Sequence, residues 1–423
     1  MEGTHPEPSL KYRTREDCRV CRERSLELFL DLGEMPLANG FLKPEELSAE
    51  EARFPLRVAF CRSCSLMQLQ DIVHPGLLFR EYPYFSSASA PLVEHFRTFA
   101  RVIGDRFISE PVDLMVEIGS NDGVFLQWLK GKARILGVDP AENIAGEANR
   151  RGIETLPEFF SAEVSARIRE RYGPAKVIVA SNVVAHVDDL DNLLAGVKTL
   201  LGDDGVFVFE VHWVWDLVLN RGFDQIYHEH VSYFGFVPLE RLLRRFGFEV
   251  FDAEVLPVHG RLLRVFTRKT GNSADAPADG PSFRAIREAE RAAGLNDLRT
   301  YIKFAASVDQ AKGKLTALLS DLKREGRKIV GYGAPAKGNI LLNYCGIGPH
   351  FIDYLTDTTP AKQGLFTPGT RIPISSPDRA KSDVPDYFLL LAWNYADAIL
   401  EKEKEFRAGG GRFIIPIPEP RVV

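Results

Sequence analysis

Four of the five cysteines form two pairs, Cys18-x-x-Cys21 and Cys61-x-x-Cys64, with 39 residues between them. A two-residue gap lets both thiolates of one turn reach a single ion, and two such turns complete the tetrahedral four-thiolate site that zinc favours. Four thiolates leave no open position for a water, so the ion they predict is structural, the alternative being four free thiols. The stretch between the pairs holds Pro36, Asn39, Gly40 and Pro44, with short strand-like runs such as RVAF before the second pair, and reads as the turn-rich chain of a zinc ribbon. Cys345, in LLNYCGIG, reads as a small core residue.

A second constellation closes the strand-like run VDLMV: Glu117-x-Gly119-Ser120-Asn121-Asp122-Gly123, with Asp139 20 residues after Gly119 at the end of ARILGVDP. Glycines in such a turn let the backbone approach an adenosyl ligand, and an acid at the tip of the next strand accepts ribose hydroxyls. The third glycine that a dinucleotide pyrophosphate needs is missing. Glu117 and Asp122 would repel a pyrophosphate but suit the sulfonium and ammonium of S-adenosylmethionine (SAM). The plainer alternative is a tight turn without a ligand.

The third constellation is Tyr227-His228-Glu229-His230-Val231-Ser232-Tyr233-Phe234, which packs two of the nine histidines, two tyrosines and a carboxylate into eight residues. Such density suits a loop whose acids and bases are tuned by their neighbours. A helical turn would put Tyr227 and His230 on one face, and an extended chain Tyr227 and Glu229. Upstream, Ser181-Asn182-x-x-x-His186 ends another strand, where ligand groups gather in open sheets. Tyr82-Pro83-Tyr84-Phe85-Ser86-Ser87 is an aromatic, hydroxyl-rich loop, fit for interdomain packing or for a site. Finally, Gly331-x-Gly333-x-x-Ala336 with Asp353 beyond it is formally a dinucleotide fingerprint, crowded by Pro335 and Lys337. A Gly-rich helix start with a lysine beside it equally makes a cradle for a diphosphate, to which Arg261 and Arg264 could add.

These residues need elements to hold them. The chain has 423 residues, enough for two or three domains with their own cores. From about residue 112 short β-rich runs alternate with amphipathic stretches, the pattern of a parallel sheet, and FEVFDAEVLPVHGRLLRVFTRK reads as an antiparallel closing hairpin. The polar segment GNSADAPADGPS reads as a linker, followed by a charged helical region over about 282–325 and a second α/β block. The expected domains are 1–75 for zinc, 76–270 for SAM and 271–423 as a C-terminal α/β domain. Lys plus Arg number 53 and Asp plus Glu 58, a net charge of −5 that argues against a nucleic-acid binder. No apolar run is long enough for a membrane span, and the first residues lack a signal-peptide core, so a cytoplasmic enzyme is expected.

The order C-x-x-C…C-x-x-C, YPYFSS, EIGSNDG, SNVVAHVDDL, YHEHVSYF, GYGAPAKGN and IPIPEPRVV resembles the SAM-dependent nucleotide-sugar C-methyltransferases of deoxysugar biosynthesis, nearly over the whole chain. The resemblance implies an N-terminal zinc-binding domain, a central Rossmann-like class I SAM methyltransferase domain and a C-terminal Rossmann-like α/β domain. It implies a substrate cleft between the last two, SAM and zinc as cofactors, and a keto-deoxysugar carried by dTDP as substrate. It points to His230 as the general base, flanked by Tyr227 and Glu229, with His186 and either Tyr82 or Tyr84 lining the site. Glu117, Gly119, Ser120, Asn121, Asp122, Gly123, Asp139 and Asn182 are the cofactor-side candidates; Gly333, Lys337 and Asn339 join Arg261 and Arg264 on the substrate side. One departure stands out: where related sequences often read H-G-G-S-L-R, this one reads His259-Gly260-Arg261-Leu262-Leu263-Arg264, which bears on which sugar or nucleotide is accepted.

Such chemistry needs a base beside a ketone and donors for the enolate oxygen. The expected enzyme is a monomer without nucleic-acid or membrane partners. The competing readings are an O- or N-methyltransferase, an NAD-dependent oxidoreductase built on the second Gly-rich turn, and a non-enzymatic zinc scaffold.

Overall fold

A computed structural model describes residues 11–82, 85–257, 260–271 and 281–423. The N-terminal part is more β-rich than a minimal ribbon. Strand β1 (Tyr12–Thr14) pairs with β5 (Asp71–Val73), while β2 (Leu26–Pro36), β3 (Arg53–Cys61) and β4 (Met67–Leu69) form an antiparallel sheet. The turn-rich expectation failed at LELFLDLGEMP because β2 shifts register twice along β3, which breaks the strict alternation that betrays a strand. The fourth strand of this sheet comes from elsewhere in the sequence. It is β11 (Ser232–Tyr233), the tail of the YHEH segment, paired with Gln68 and Met67 of β4.

The central sheet contains β6 (Leu114–Ile118), β7 (Arg134–Val138), β8 (Thr155–Leu156), β9 (Ala175–Ser181), β10 (Leu201–His212), β12 (Phe248–Leu256) and β13 (Leu262–Lys269). Their order is β12-β13-β10-β9-β6-β7-β8, all parallel except β13, which runs antiparallel between β10 and β12 as the hairpin pattern predicts. Every residue of β6 is buried, as in a strand covered on both faces. Strand order reverses between β6 and β9, and the crevice at their carboxyl ends is where ligands of open α/β sheets bind. Ser161 and Asp189 cap the helices Ala162–Tyr172 and Leu190–Leu200 by accepting from the N–H groups of Val164 and Asn192, and so fix where each helix begins.

Helices Pro281–Ala292 and Leu298–Arg324 lead to the third sheet. It is built from β14 (Ile329–Tyr332), β15 (Leu355–Thr356), β16 (Ile374–Ser375), β17 (Tyr387–Leu390), β18 (Arg412–Ile415) and β19 (Arg421–Val422), in the order β16-β15-β14-β17-β18-β19. The first five are parallel, so this block is a second doubly wound sheet. Among the described residues no helix is long and apolar enough to cross a membrane.

Candidate active site

One cavity of about 1000 Å³ opens where the three parts meet. The N-terminal part contributes Arg13, Asn39 and His74 to its wall, so the cleft is not confined to the two α/β blocks.

On the sheet side lies the first Gly-rich turn. Gly119 has φ +66°, and a Cβ there would sit 2.3 Å from Val183 Cγ2, so only glycine fits. Asn121 is also left-handed, with φ 48°; its side chain accepts from the Ser86 N–H at 2.8 Å, tying the 85–89 loop to the turn. Asp139 accepts from the N–H groups of Asn121 and Ala141, both at 2.9 Å, which fixes its carboxylate at the cavity wall. Glu117 and Asn182 line the same wall, and Glu117 Oε2 and Asn182 Oδ1 are buried without hydrogen-bond partners among the described residues. Burial, reinforced by Asp139, Asp122 and Glu210, holds the Glu117 carboxyl well above the usual carboxylate range. An unsatisfied acid facing a cavity is a seat for a cationic, hydrogen-bonding ligand. Ser120 also lines the wall. Asp122 and Gly123 serve the turn from behind: Asp122 pairs with Arg151 at 3.2 Å, and a Cβ on Gly123 would meet Ile153 Cδ1 at 2.5 Å.

Across the cavity, His186, His212 and His230 gather. Ring centroids are 4.8 Å apart for His186 and His230 and 5.4 Å for His212 and His230, with the Tyr227 ring 4.0 Å from His230. The chain from Tyr227 to His230 forms a turn in which the His230 N–H donates to the Tyr227 carbonyl at 2.9 Å, so Tyr227 and His230 share the cavity. His230 Nδ1 lies 2.9 Å from the Gln225 carbonyl oxygen. A carbonyl only accepts, so Nδ1 carries the proton and Nε2 keeps its lone pair. Burial lowers both His186 and His230 to about 3, so both imidazoles are neutral near pH 7.

The two middle residues of the segment point elsewhere. His228 Nε2 faces the carbonyl oxygens of Phe54 and Pro55, each at 3.3 Å, and fastens the segment to β3. Glu229 accepts from Asn39 Nδ2 at 2.7 Å and from the Tyr82 hydroxyl at 2.9 Å, and burial pushes it up to about 7. Tyr82 itself lines the cavity, whereas Tyr84 lies outside the described residues.

At the far end, Lys337 in the first turn of the helix Ala336–Cys345 is half-buried with its Nζ 4.1 Å from the Trp393 ring centroid; desolvation lowers it to about 8 despite nearby Asp224. Trp393 Nε1 donates to Asp224 at 2.6 Å, so the aromatic wall is itself held in place. Lys362 joins Lys337 in the wall. Three of the substrate-side expectations are placed differently. Arg264 is buried in the β10–β13 ladder, where it bonds Glu210 at 2.7 and 2.9 Å beneath the Phe99 ring. Asn339 donates to the Ala38 carbonyl at 2.7 Å and joins the helix to the N-terminal part. The Gly333 N–H donates to the Thr356 carbonyl at 2.7 Å within the turn. Arg261 is half-exposed over the Trp215 ring, 4.0 Å from Asp216, beside a smaller cavity of about 490 Å³ that Asp216 and Gly260 line. The sequence does not single out His212 or Lys362, and Asn39 reads there only as a turn residue. His212 alone carried a signal, as a polar residue ending the strand GVFVFEVH.

The four cysteine sulfurs lie within 4.8 Å of one another, with Cys18–Cys64 at 3.4 Å and Cys21–Cys61 at 3.5 Å. Zinc–sulfur bonds of 2.3 Å imply tetrahedron edges of about 3.8 Å, so the donor set and its size both fit zinc.

A class I methyltransferase sheet order, an acidic adenosyl-type turn and a four-thiolate cluster define a zinc-containing, SAM-dependent methyltransferase. Three family models match in series: "Putative zinc binding domain" over residues 18–79, "Methyltransferase domain" over 94–253 and "C-methyltransferase C-terminal domain" over 257–418. The chain is 41% identical over 415 residues to C-methyltransferase NovU of Streptomyces niveus, covering 97% of both chains. It belongs to the SAM-dependent C-methyltransferase family. Solved structures of a SAM-dependent methyltransferase from Anabaena variabilis and of magnesium protoporphyrin IX methyltransferase from Synechocystis align with TM-scores of 0.34 and 0.33, at 15% and 11% identity. They cover 44% and 42% of this chain and 85% and 83% of their own.

Proposed function

We propose that this C-methyltransferase acts on a keto-deoxysugar linked to a nucleoside diphosphate, dTDP by preference, and that His230 removes a proton next to the ketone. The observation that carries the reading is the shared cavity: the adenosyl-type turn forms one wall, the His186–His212–His230 cluster another, and two lysines the far end. A cavity of about 1000 Å³ has room for a cofactor and a nucleotide sugar together.

SAM, when bound, supplies the methyl group on a sulfonium. The protein's own residues do the rest. His230 Nε2 takes the proton from the carbon next to the 4-keto group, and that C–H electron pair becomes the enolate. Tyr227 and His186 orient the ketone and donate to the developing oxyanion. With SAM bound, the enolate carbon would form the new C–C bond as the S–C bond breaks, its electron pair staying on sulfur as S-adenosylhomocysteine. Desolvation disfavours an imidazolium in the free protein, but the negative enolate forming beside it offsets that penalty in the transition state. Glu229 orients Tyr82 from behind, and Lys337 and Lys362 suit a diphosphate. The proposed domain limits are 1–75, 76–270 and 271–423, in a cytoplasmic enzyme acting as a monomer.

Calorimetric titration with S-adenosylhomocysteine, with and without dTDP, and separately with NADH, tests the ligand classes. Binding of both the adenosyl ligand and dTDP is expected; binding of NADH alone would overturn the reading.

A further inference from the structure

Arg19 follows the zinc ligand Cys18 directly in the chain and is wholly buried. Its guanidinium reaches in two directions. Nε donates to Asp188 Oδ1 at 2.8 Å, two residues after His186. Nη1 donates to the Leu69 carbonyl at 2.7 Å, and the Leu69 N–H in turn holds the Val231 carbonyl at 3.0 Å, one residue after His230. One side chain on the zinc knuckle therefore touches the supports of both histidine-bearing loops. Its backbone is fixed as well: the Arg19 N–H donates to Gln68 Oε1 at 2.9 Å, and the Cys18 carbonyl closes the knuckle by accepting from the Arg22 N–H at 2.9 Å.

The neighbourhood is built around this link. Arg15 Nη1 also bonds Asp188, at 3.0 Å, and Arg13 pairs with its other oxygen, so three cations converge on one carboxylate. Arg22 and Arg245 hold Asp191 at 2.8 and 3.2 Å in the following helix, and Arg245 also donates to the Val20 carbonyl at 2.5 Å. Arg19 Nη2 stays buried with no hydrogen-bond partner among the described residues. A wholly buried guanidinium with a donor unused is a costly way to join two segments that apolar packing could join. The fixed fork, aimed at two acceptors, gives the cost a purpose.

We propose that Arg19 is a positioning residue, which from the zinc knuckle sets the separation of His186 and His230 through Asp188 and Leu69. The inference rests on the reading of these histidines as active-site groups. It gives the zinc module a part in catalysis, because an ordered knuckle is what fixes the arginine backbone.

The test uses the full chain with Arg19→Lys, Arg19→Gln and Asp188→Asn. Zinc content and S-adenosylhomocysteine affinity should stay as in the parent. On dTDP-4-keto-6-deoxyglucose, kcat should fall by about 10- to 100-fold while KM moves by no more than about twofold. The ¹⁵N-histidine resonances of His186 and His230, assigned by their loss in His186→Asn and His230→Asn, should shift. Lysine should not rescue, because one ammonium cannot span two acceptors in the same fork. Parent-level kcat in Arg19→Lys, unmoved histidine resonances, or a loss wholly in KM would overturn the proposal. If the Arg19 variants lose zinc or fail to fold, Asp188→Asn leaves the knuckle sequence intact and decides on the same criteria. Full turnover in both His186→Asn and His230→Asn would instead sink the active-site reading itself.

Discussion

The Tyr82 hydroxyl donates to Glu229 across 147 residues of sequence, at 2.9 Å, on the side of the YHEH segment away from His230. Glu229 takes its second hydrogen bond from Asn39, so one carboxylate ties the N-terminal part, the aromatic loop and the histidine segment together.

Both of those bonds need an acceptor, and the ionised carboxylate offers more acceptor sites than the acid. Burial raises Glu229 to about 7, so protonation on the acid side of neutrality should loosen Tyr82. The kcat/KM profile should therefore rise with pH through an inflection near 7, and Glu229→Gln should remove that inflection. Persistence of the same inflection in the variant would reject this role.

The two histidines of the segment should behave differently on substitution. His230→Asn removes the lone pair facing the cavity and should cost about 10²–10⁴ in kcat with intact S-adenosylhomocysteine binding. His228→Asn removes a fastening to β3 and should act on stability first. Steady-state kinetics and thermal melts of the two variants side by side check the contrast.

Acid stability carries the same signature. Burial lowers His186 and His230 to about 3 and His228 to about 4, below the usual 6.5. The unfolded chain therefore binds protons that the folded chain refuses. Stability present above pH 6.5 is lost as pH falls toward 4, with His228 alone contributing on the order of 3 kcal/mol. Denaturant titrations between pH 7 and 4.5 should show that fall, and His228→Gln should make it shallower.

Arg264 offers a check on the substrate-side assignment. Because it compensates the buried Glu210, Arg264→Leu should destabilise the fold by about 3–5 kcal/mol. Its KM for a nucleotide sugar, measured well below the melting temperature, should change little. A large KM effect without loss of stability would return Arg264 to the binding site.

Much of this was legible in the chain. Cysteine spacing marks the thiolate cluster, because metal ligands within one turn are local in sequence. The turn at Glu117–Gly123 and Asp139 was legible for the same reason, since strand, turn and next strand follow one another. The closing hairpin β12–β13 showed as two β-rich runs. What stayed hidden is what depends on distant partners. Nothing local says that Arg264 faces Glu210 or that Asn339 meets Ala38. The strand β2 was masked by its register shifts, and β11 is two residues long, below the length at which periodicity registers. The YHEH segment permitted a helical turn or an extended chain, and only the tertiary fold chose the turn that sends Tyr227 and His230 inward. His212 and Lys362 reach the cavity from separate elements, so no motif unites them.

The proposed reaction is methyl transfer to carbon on a nucleotide sugar. Incubating the enzyme with SAM carrying a ¹³C-labelled methyl group and dTDP-4-keto-6-deoxyglucose, then recording the carbon spectrum of the product, tests it most directly. The expected product carries one labelled methyl bonded to ring carbon, its signal coupled to that carbon's neighbours and resistant to acid hydrolysis. A label on oxygen or nitrogen, or no transfer to any nucleotide-linked keto-sugar although S-adenosylhomocysteine binds, would contradict it.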